Sequence, residues 1–543
     1  MKKSNIILFL LGVLAFCSCD DMFAPADENT RQIDALYEES NYAHGLLIYA
    51  YDRLPYITTS QTDVATDDAV TNDKGSAFRN MTTGAWKSDN DPMSQWVNCK
   101  NGIQYANLFL TVVDKVNWAK SAPSKQQMYI DRLTGEALTL RAILYYYLLQ
   151  AHSGYADDGV LYGVPLLTEP EDGGSDFNQP RATFAACVKQ CIDDCNKAID
   201  LLPADYADVA DSLLIPEKYR KIGANTSGYN LVLGSKSKGL ISGKVAEAVK
   251  AQVALLAASP AFRDQCGYPS PSDSAAVYCA AVLKRIGGAE GLDATGNTWY
   301  KNKSKIDNGT EMPEILWRQD RAASVDQETN NFPPTLFGNG RINPSQNLVD
   351  AFPMANGYPI SDSRSGYDPK NPYIGRDPRL DLAVIHHGST FQSKVICTGV
   401  DMPNEDGNTN DNLNSSDAKA TLTGYYLNKL LREDVSIDPA GRKTQYHIFP
   451  RIRYTELFLA YAEAANEAYG ATGNGKVQIN GKMQTFNLSA YDVIKAIRSR
   501  AGLGKDLYGM PIGDDYLDEC AKDKAKMAEL IRNERTIQRY VNY

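Results

Sequence analysis

Cys187, Cys191 and Cys195 recur every four residues in ATFAACVKQCIDDCNKAIDLLP. On a helix they share one face, and three thiolates gathered there would suit a soft metal ion. The same face carries Phe184, Val188, Ile199 and Leu202. Reduced cysteine packs as a small hydrophobe, so the seam reads as core rather than as a metal site. Five histidines, His44, His152, His386, His387 and His447, form neither an H-E-x-x-H motif nor a Cys-His zinc spacing. His386 and His387 end an apolar run that reads as a strand, where neighbours point to opposite faces and cannot easily share one ion. A G-x-S-x-G nucleophile elbow and a G-x-x-x-x-G-K-[ST] phosphate loop are both missing from the sequence. Acid pairs such as Asp67-Asp68 and Asp193-Asp194 occur, but a glycosidase is defined by two carboxylates at a set distance across a cleft. No cofactor and no metal is implied.

The elements that would position such residues are mostly helices. In IDRLTGEALTLRAILYYYLLQAH, apolar residues fall at Ile130, Leu133, Ala137, Leu140, Leu144, Tyr147 and Ala151, steps of three or four that define an amphipathic helix. Val245, Ala248, Ala251, Leu255 and Ala258 repeat the pattern before Pro260 stops it. Leu457, Ala460, Ala464 and Ala468 form a third stripe, with Gly470 as a C-terminal cap. Further helices are expected over 32–53, 94–117, 181–202, 273–286, 489–501 and 523–541. Alanine stripes let helix backbones approach closely, so the helices should pack in pairs, as in helix-repeat folds. Strand signal is confined to short pieces such as EILWRQD, LAVIHH and KVICTG. Gly, Asn, Asp and Pro crowd 66–92, 321–344, 353–378 and 399–418, and loops of that length inside a compact protein carry function or motion.

The chain has 543 residues, 43% hydrophobic and 22% charged, a globular composition with a net charge of −10 and no basic cluster for nucleic acid. At its start, Lys2 and Lys3 precede an apolar run from Ile6 to Phe16. That run is too short for a membrane span, which needs about 20 residues, and has the form of a signal peptide. Cys19 follows the small Ser18, so the segment resembles a bacterial lipoprotein signal over residues 1–18, with Cys19 lipidated. The acids Asp20 and Asp21 behind it resemble the surface-export signals of Bacteroidota lipoproteins.

Several segments together resemble the SusD/RagB family of nutrient-binding lipoproteins. They are QWVNCKNGIQYANLFL, GEALTLRAILYYYLLQAHSGYADDGVLYGVPLL, NPSQNLVDAFPMANGYPI, NPYIGRDPRLDLAVIHHG, TGYYLNKL, RYTELFLAYAEAANEA, IRSRAGL and LIRNER, in the family's order. After LIRNERTIQRYVNY the family's F-E-G-x-R-x-x-D-L-x-R-W continuation is not found, so the sequence reads as a C-terminally shortened member, by fragmentation or by nature. The resemblance implies a mostly α fold over 19–543, one domain with a tetratricopeptide-like helix-pair scaffold, a loop-rich second half and few short strands. It implies a lipid-anchored protein on the outer leaflet of the outer membrane, without catalysis. Such a protein would capture an oligosaccharide and pass it to a SusC-like TonB-dependent barrel; a peptide-binding member, or a surface glycoside hydrolase, are the alternatives.

The resemblance places ligand contacts on loops corresponding to 66–86 and 321–341. The residues there that suit a sugar are chosen by chemistry. Tyr and Trp combine a flat apolar face with a polar tip, Phe supplies the face alone, and Asn and Arg can bond hydroxyls. They are Phe78, Arg79, Trp86, Phe332, Phe337, Asn339 and Arg341, with the pair Trp299-Tyr300 as outside candidates. Trp96 and Trp317 are expected in the core.

Overall fold

The computed structural model describes residues 35–56 and 60–542. The signal segment and Cys19 lie outside them. Among the described residues, nine helices have twelve or more residues: α1 Ser40–Asp52, α2 Trp96–Val112, α3 Pro123–His152, α4 Phe184–Leu201, α5 Gly243–Ala258, α6 Pro271–Lys284, α7 Tyr454–Tyr469, α8 Ala490–Ala501 and α9 Lys524–Asn542. Their ends follow local rules. Pro123 and Pro271 open α3 and α6, where the missing N–H has no helical partner to lose. The Thr183 hydroxyl caps α4. Ser489 and Asp492 close a reciprocal capping box on α8. Gly470, at φ 78°, ends α7 as its sequence position suggests.

From α1 to α8 each helix packs on the next, and α9 returns to α7. This is the expected paired-helix scaffold. Small residues set its spacing. Ala248, Ala251, Ala254 and Ala257 on α5, and Ala275, Ala276 and Ala280 on α6, are fully buried. A Cβ at Gly102 on α2 would lie 2.7 Å from the Leu144 side chain of α3, and one at Gly135 on α3 would lie 2.5 Å from that of Leu202. Both glycines are therefore contact points rather than flexible links. Cys187, Cys191 and Cys195 are buried along α4, the Cys187 thiol facing the Val164 carbonyl at 3.4 Å. They are core, as their apolar neighbours indicate, and among the described residues no His, Cys, Asp and Glu group is arranged to hold a metal.

Between α6 and α7 runs the loop-rich half, residues 285–453. Its strands pair only two by two, all antiparallel. Ala69–Thr71 pairs with Ile342–Pro344, Ala322–Ser324 with Gln445–His447, Ile315–Arg318 with Pro450–Arg453, and Val384–Ile385 with Tyr426–Leu427. Trp317 is buried on its strand, its indole N–H donating to the Gly239 carbonyl at 3.0 Å. Trp96 packs partly buried against the helical core, edge-on to His152.

Buried ions fasten this half to the helices. Arg379 lies 2.7 Å from both Asp377 and Glu534, and Arg498 reaches Glu534 at 3.0 Å and Asp514 at 2.5 Å. Arg379, Glu534 and Arg498 are each about 1% exposed or less. The pin therefore joins α8, α9 and the 377–379 turn. A second clamp lies inside the scaffold, where Arg141 on α3 grips both carboxylate oxygens of Asp194 on α4, at 2.8 and 2.7 Å, and the Asn107 side chain of α2 at 2.8 Å.

Candidate functional site

The two loops singled out by sequence are joined at their bases. The ladder of Ala69–Thr71 with Ile342–Pro344 brings them side by side. Just beyond it, the buried Asn72 amide donates to the carbonyls of Asn339 at 3.0 Å and Gly340 at 2.9 Å. Its oxygen accepts from the Arg341 guanidinium at 3.4 Å, and Asp73 lies 3.9 Å from the same guanidinium. Asn339 and Arg341 thus meet on one residue, Asn72, that sequence reasoning did not name. Only the amide's reach across 267 positions reveals it.

Phe78 is half-buried on an apolar cluster that includes Val64, Ala69 and Ile342, so it supports the loop from below. Arg79 opens the helical turn Arg79–Thr82, whose carbonyls hold the Thr82 and Thr83 hydroxyls. Trp86 follows that turn. Its N–H is fixed on the Asn80 carbonyl at 3.1 Å, and its side chain is 49% exposed.

The loop 329–341 is held tightly. Asn339 donates its N–H to Thr329, Gly340 to Phe332 and Arg341 to Asn330. The Thr335 N–H donates to the Asp411 carboxylate at 2.9 Å, and the Thr335 hydroxyl accepts from Asn404 at 2.9 Å. Burial pushes the Asp411 carboxyl above its ordinary range, while the bonds from Thr335 oppose that shift. At the crest, Phe337 takes φ 67° and is 53% exposed. A bulky residue in the left-handed region is strained, and its ring is turned to solvent where burial cannot repay the strain. Among the described residues neither Phe337 nor Trp86 stacks on another ring, which leaves two aromatic faces free.

Two candidates are corrected. Phe332 is fully buried, edge-to-face with Phe391 at 5.4 Å in a cluster with Leu336 and Tyr426; it anchors the loop and offers no face to a ligand. Trp299 and Tyr300 are not an exposed pair: both are at most 3% exposed and turn inward. Conversely, Tyr508 is 92% exposed on a tight turn whose Tyr508 and Met510 N–H groups both donate to Asp506. Its one sequence signal is a short apolar stretch set between Gly504 and Gly513. His386 and His387 also part company. His386 stacks on Tyr373 at 3.7 Å, whereas His387 accepts the N–H groups of Thr398 and Gly399.

The fold is thus a chain of helical pairs that carries a loop-built crest with two exposed aromatic rings, Trp86 and Phe337. The comparisons place it more narrowly. A family model described as "SusD family" matches residues 306–538, and one described as "Starch-binding associating with outer membrane" matches 41–215. The chain belongs to the SusD/RagB family. Among solved structures, it is similar to a SusD-like protein from Bacteroides fragilis, with 20% identity, 95% of this chain and 88% of that chain covered and a TM-score of 0.63. A SusD-like carbohydrate-binding protein from Bacteroides fragilis shares 19% identity over 93% of this chain and 84% of its own, with a TM-score of 0.62. A laminarin-binding SusD-like protein shares 18% identity over 92% of each chain, with a TM-score of 0.52. At these identities the likeness concerns the fold. No curated protein matches the sequence.

Proposed function

We propose that this protein binds a glycan through the loops at 66–86 and 321–341 and delivers it, without cleaving it, to a SusC-like TonB-dependent barrel. The observation that carries the reading is Phe337, a strained and exposed ring on a loop fastened on both sides. A ring fixed in advance stacks on the apolar C–H face of a sugar without the cost of ordering it. Trp86 supplies a second face, and Asn339 and Arg341 stand ready for hydroxyls. Two family descriptions, one of them starch-binding, and relatives named for carbohydrate or laminarin binding support the class of ligand. In this reading 19–543 acts as one domain, held by lipid on Cys19 at the outer leaflet of the outer membrane.

Calorimetry of neutral oligosaccharides against the wild type and Phe337→Ala tests the site. Each stacked ring contributes about 1–3 kcal/mol by analogy with bases stacked on aromatics. Two rings, less the cost of ordering the sugar, give micromolar to millimolar affinity. Affinity that does not change in Phe337→Ala overturns the site. Sugar products in the cell, or affinity that falls steeply with salt, overturn the mechanism. Cys19→Ala that still partitions with outer membranes overturns the anchor.

A further inference from the structure

Four buried arginines of this protein, Arg141, Arg379, Arg432 and Arg498, use one edge of the guanidinium in the same way. Each lays its Nε and Nη2 along a single aspartate. Arg141 meets Asp194 at 2.8 and 2.7 Å, and Arg379 meets Asp377 at 3.1 and 2.7 Å. Arg432 meets Asp434 at 2.9 and 2.8 Å, and Arg498 meets Asp514 at 2.5 and 3.0 Å. The two donors of that edge are parallel and match the two oxygens of a carboxylate.

Arg500, at the end of α8, departs from the pattern. Its side chain is 4% exposed. Its Nη1 donates to the Thr455 hydroxyl at 3.0 Å, the Asp293 carbonyl at 3.2 Å and Glu314 at 3.4 Å. Its Nε and Nη2 are both buried, and neither has an acceptor among the described residues. Among those residues no other arginine has this whole edge buried and unmatched. Glu314 cannot serve it, because it also takes Arg453 Nη2 at 2.6 Å and the Thr455 hydroxyl at 2.9 Å. Two buried guanidiniums thus share one carboxylate. Arg379 and Arg498 share Glu534 in the same manner, but each of them has an aspartate as well. Asp293 acts on Arg500 more weakly, from a carboxylate engaged by the Thr295 N–H and hydroxyl. Burial comes first, and with the charges of Arg453 and Arg379 it outweighs both acids and brings the Arg500 guanidinium down to about 10. A buried cation short of an acceptor is costly, and an anion on the unmatched edge relieves that cost.

We propose that the Nε and Nη2 edge of Arg500 is a binding site for a small planar carboxylate of the size of formate, at the junction of α8 with the start of α7 and the 293–296 turn. The ligand does for Arg500 what Asp514 does for Arg498. Because both donor atoms are buried, it has few atoms of its own. Its binding ties the scaffold to the loop half at a second place beside Glu534. The inference is independent of the glycan reading, which concerns uncharged sugars on other loops.

The test compares crystals of the wild-type chain soaked in sodium formate with crystals held in sodium chloride at the same ionic strength. The expected result is density for a planar three-atom group in formate alone, its two oxygens about 2.7–2.9 Å from Nε and Nη2. In solution, the urea midpoint should rise as formate replaces chloride at constant ionic strength, as it must for a ligand that binds only the folded state. The rise should vanish in Arg500→Lys, which keeps the charge and loses the fork. Where that variant does not fold, the wild-type crystals decide alone. Water on the edge in formate-soaked crystals overturns the proposal, and so does a midpoint that rises equally in Arg500→Lys. A chloride ion on the edge in the reference crystals overturns the assignment to a planar carboxylate.

Discussion

The scaffold and the loop half solve the same problem, holding a backbone in place, with different chemistry. Along α3 to α7, alanines, a few glycines and apolar side chains bring helices together. Their backbone groups are satisfied within each helix, so burial costs nothing polar. The loop half has no such economy. Its strands pair two by two, so side chains must satisfy its buried backbone: Asn72 for Asn339 and Gly340, Asp411 for Thr335, and Arg376 for the carbonyls of Val349 and Phe352. Packing tolerates repetition, whereas side-chain fastening is specific to each turn. The loop half can therefore place a strained Phe337 where a helix could not.

The comparison can be broken most severely at Glu534, which serves both regions. Glu534→Ala leaves Arg379 and Arg498 buried with one fewer anion between them, and loss of about 3–5 kcal/mol is expected in chemical denaturation. The same residue sets an acid limit. Burial alone would raise its carboxyl, but the charges and hydrogen bonds of Arg379 and Arg498 hold it below its ordinary 4.5. A lowered folded pKa gives stability that is present above the unfolded value and is lost as pH falls through the folded one. Denaturation midpoints should therefore drop below about pH 4.5. In Glu534→Gln this part of the acid dependence should disappear.

A scaffold-only break is Gly135→Val, which drives two methyls into Leu202 and should cost about 1–3 kcal/mol with ligand affinity intact once folded. A loop-only break is Phe337→Ala, expected to weaken glycan binding by about 1–3 kcal/mol while thermal stability changes little. The smallest effect sharpens the contrast most. Phe337→Gly removes the ring and also the left-handed strain, so it should raise stability by up to about 1 kcal/mol while losing binding as Phe337→Ala does. A fall in stability would mean that the Phe337 ring packs rather than presents itself.

Much of the scaffold was legible because its period is local. The stripes from Ile130 to Ala151 and from Leu457 to Ala468 lie within α3 and α7 as found. The start of α3 at Pro123 was missed because its first turns are polar. The segments that carried the family resemblance proved to be fasteners. Arg141 of GEALTLRA, Arg379 of RDPRLDL, Arg498 of IRSRAGL and Glu534 of LIRNER all sit in buried ion pairs. The loops were harder. Phe332 reads like Phe337, a phenylalanine in a polar stretch, and only Phe391, remote in sequence, decides that it turns inward. Asn72 is one asparagine among many until its distant carbonyls are known.

The chain-order packing of α1 to α6 has a consequence for biogenesis. Each of these helices meets its neighbour within a short span of sequence, so the first six can assemble as the chain is made. The seventh cannot join until residues 285–453 have emerged, and closing so long a loop costs entropy that grows only with the logarithm of its length. Until then α6 lacks the packing partner that α7 supplies. The half-made protein is thus a solenoid with one open end, and that end is the surface that must be shielded until α7 arrives.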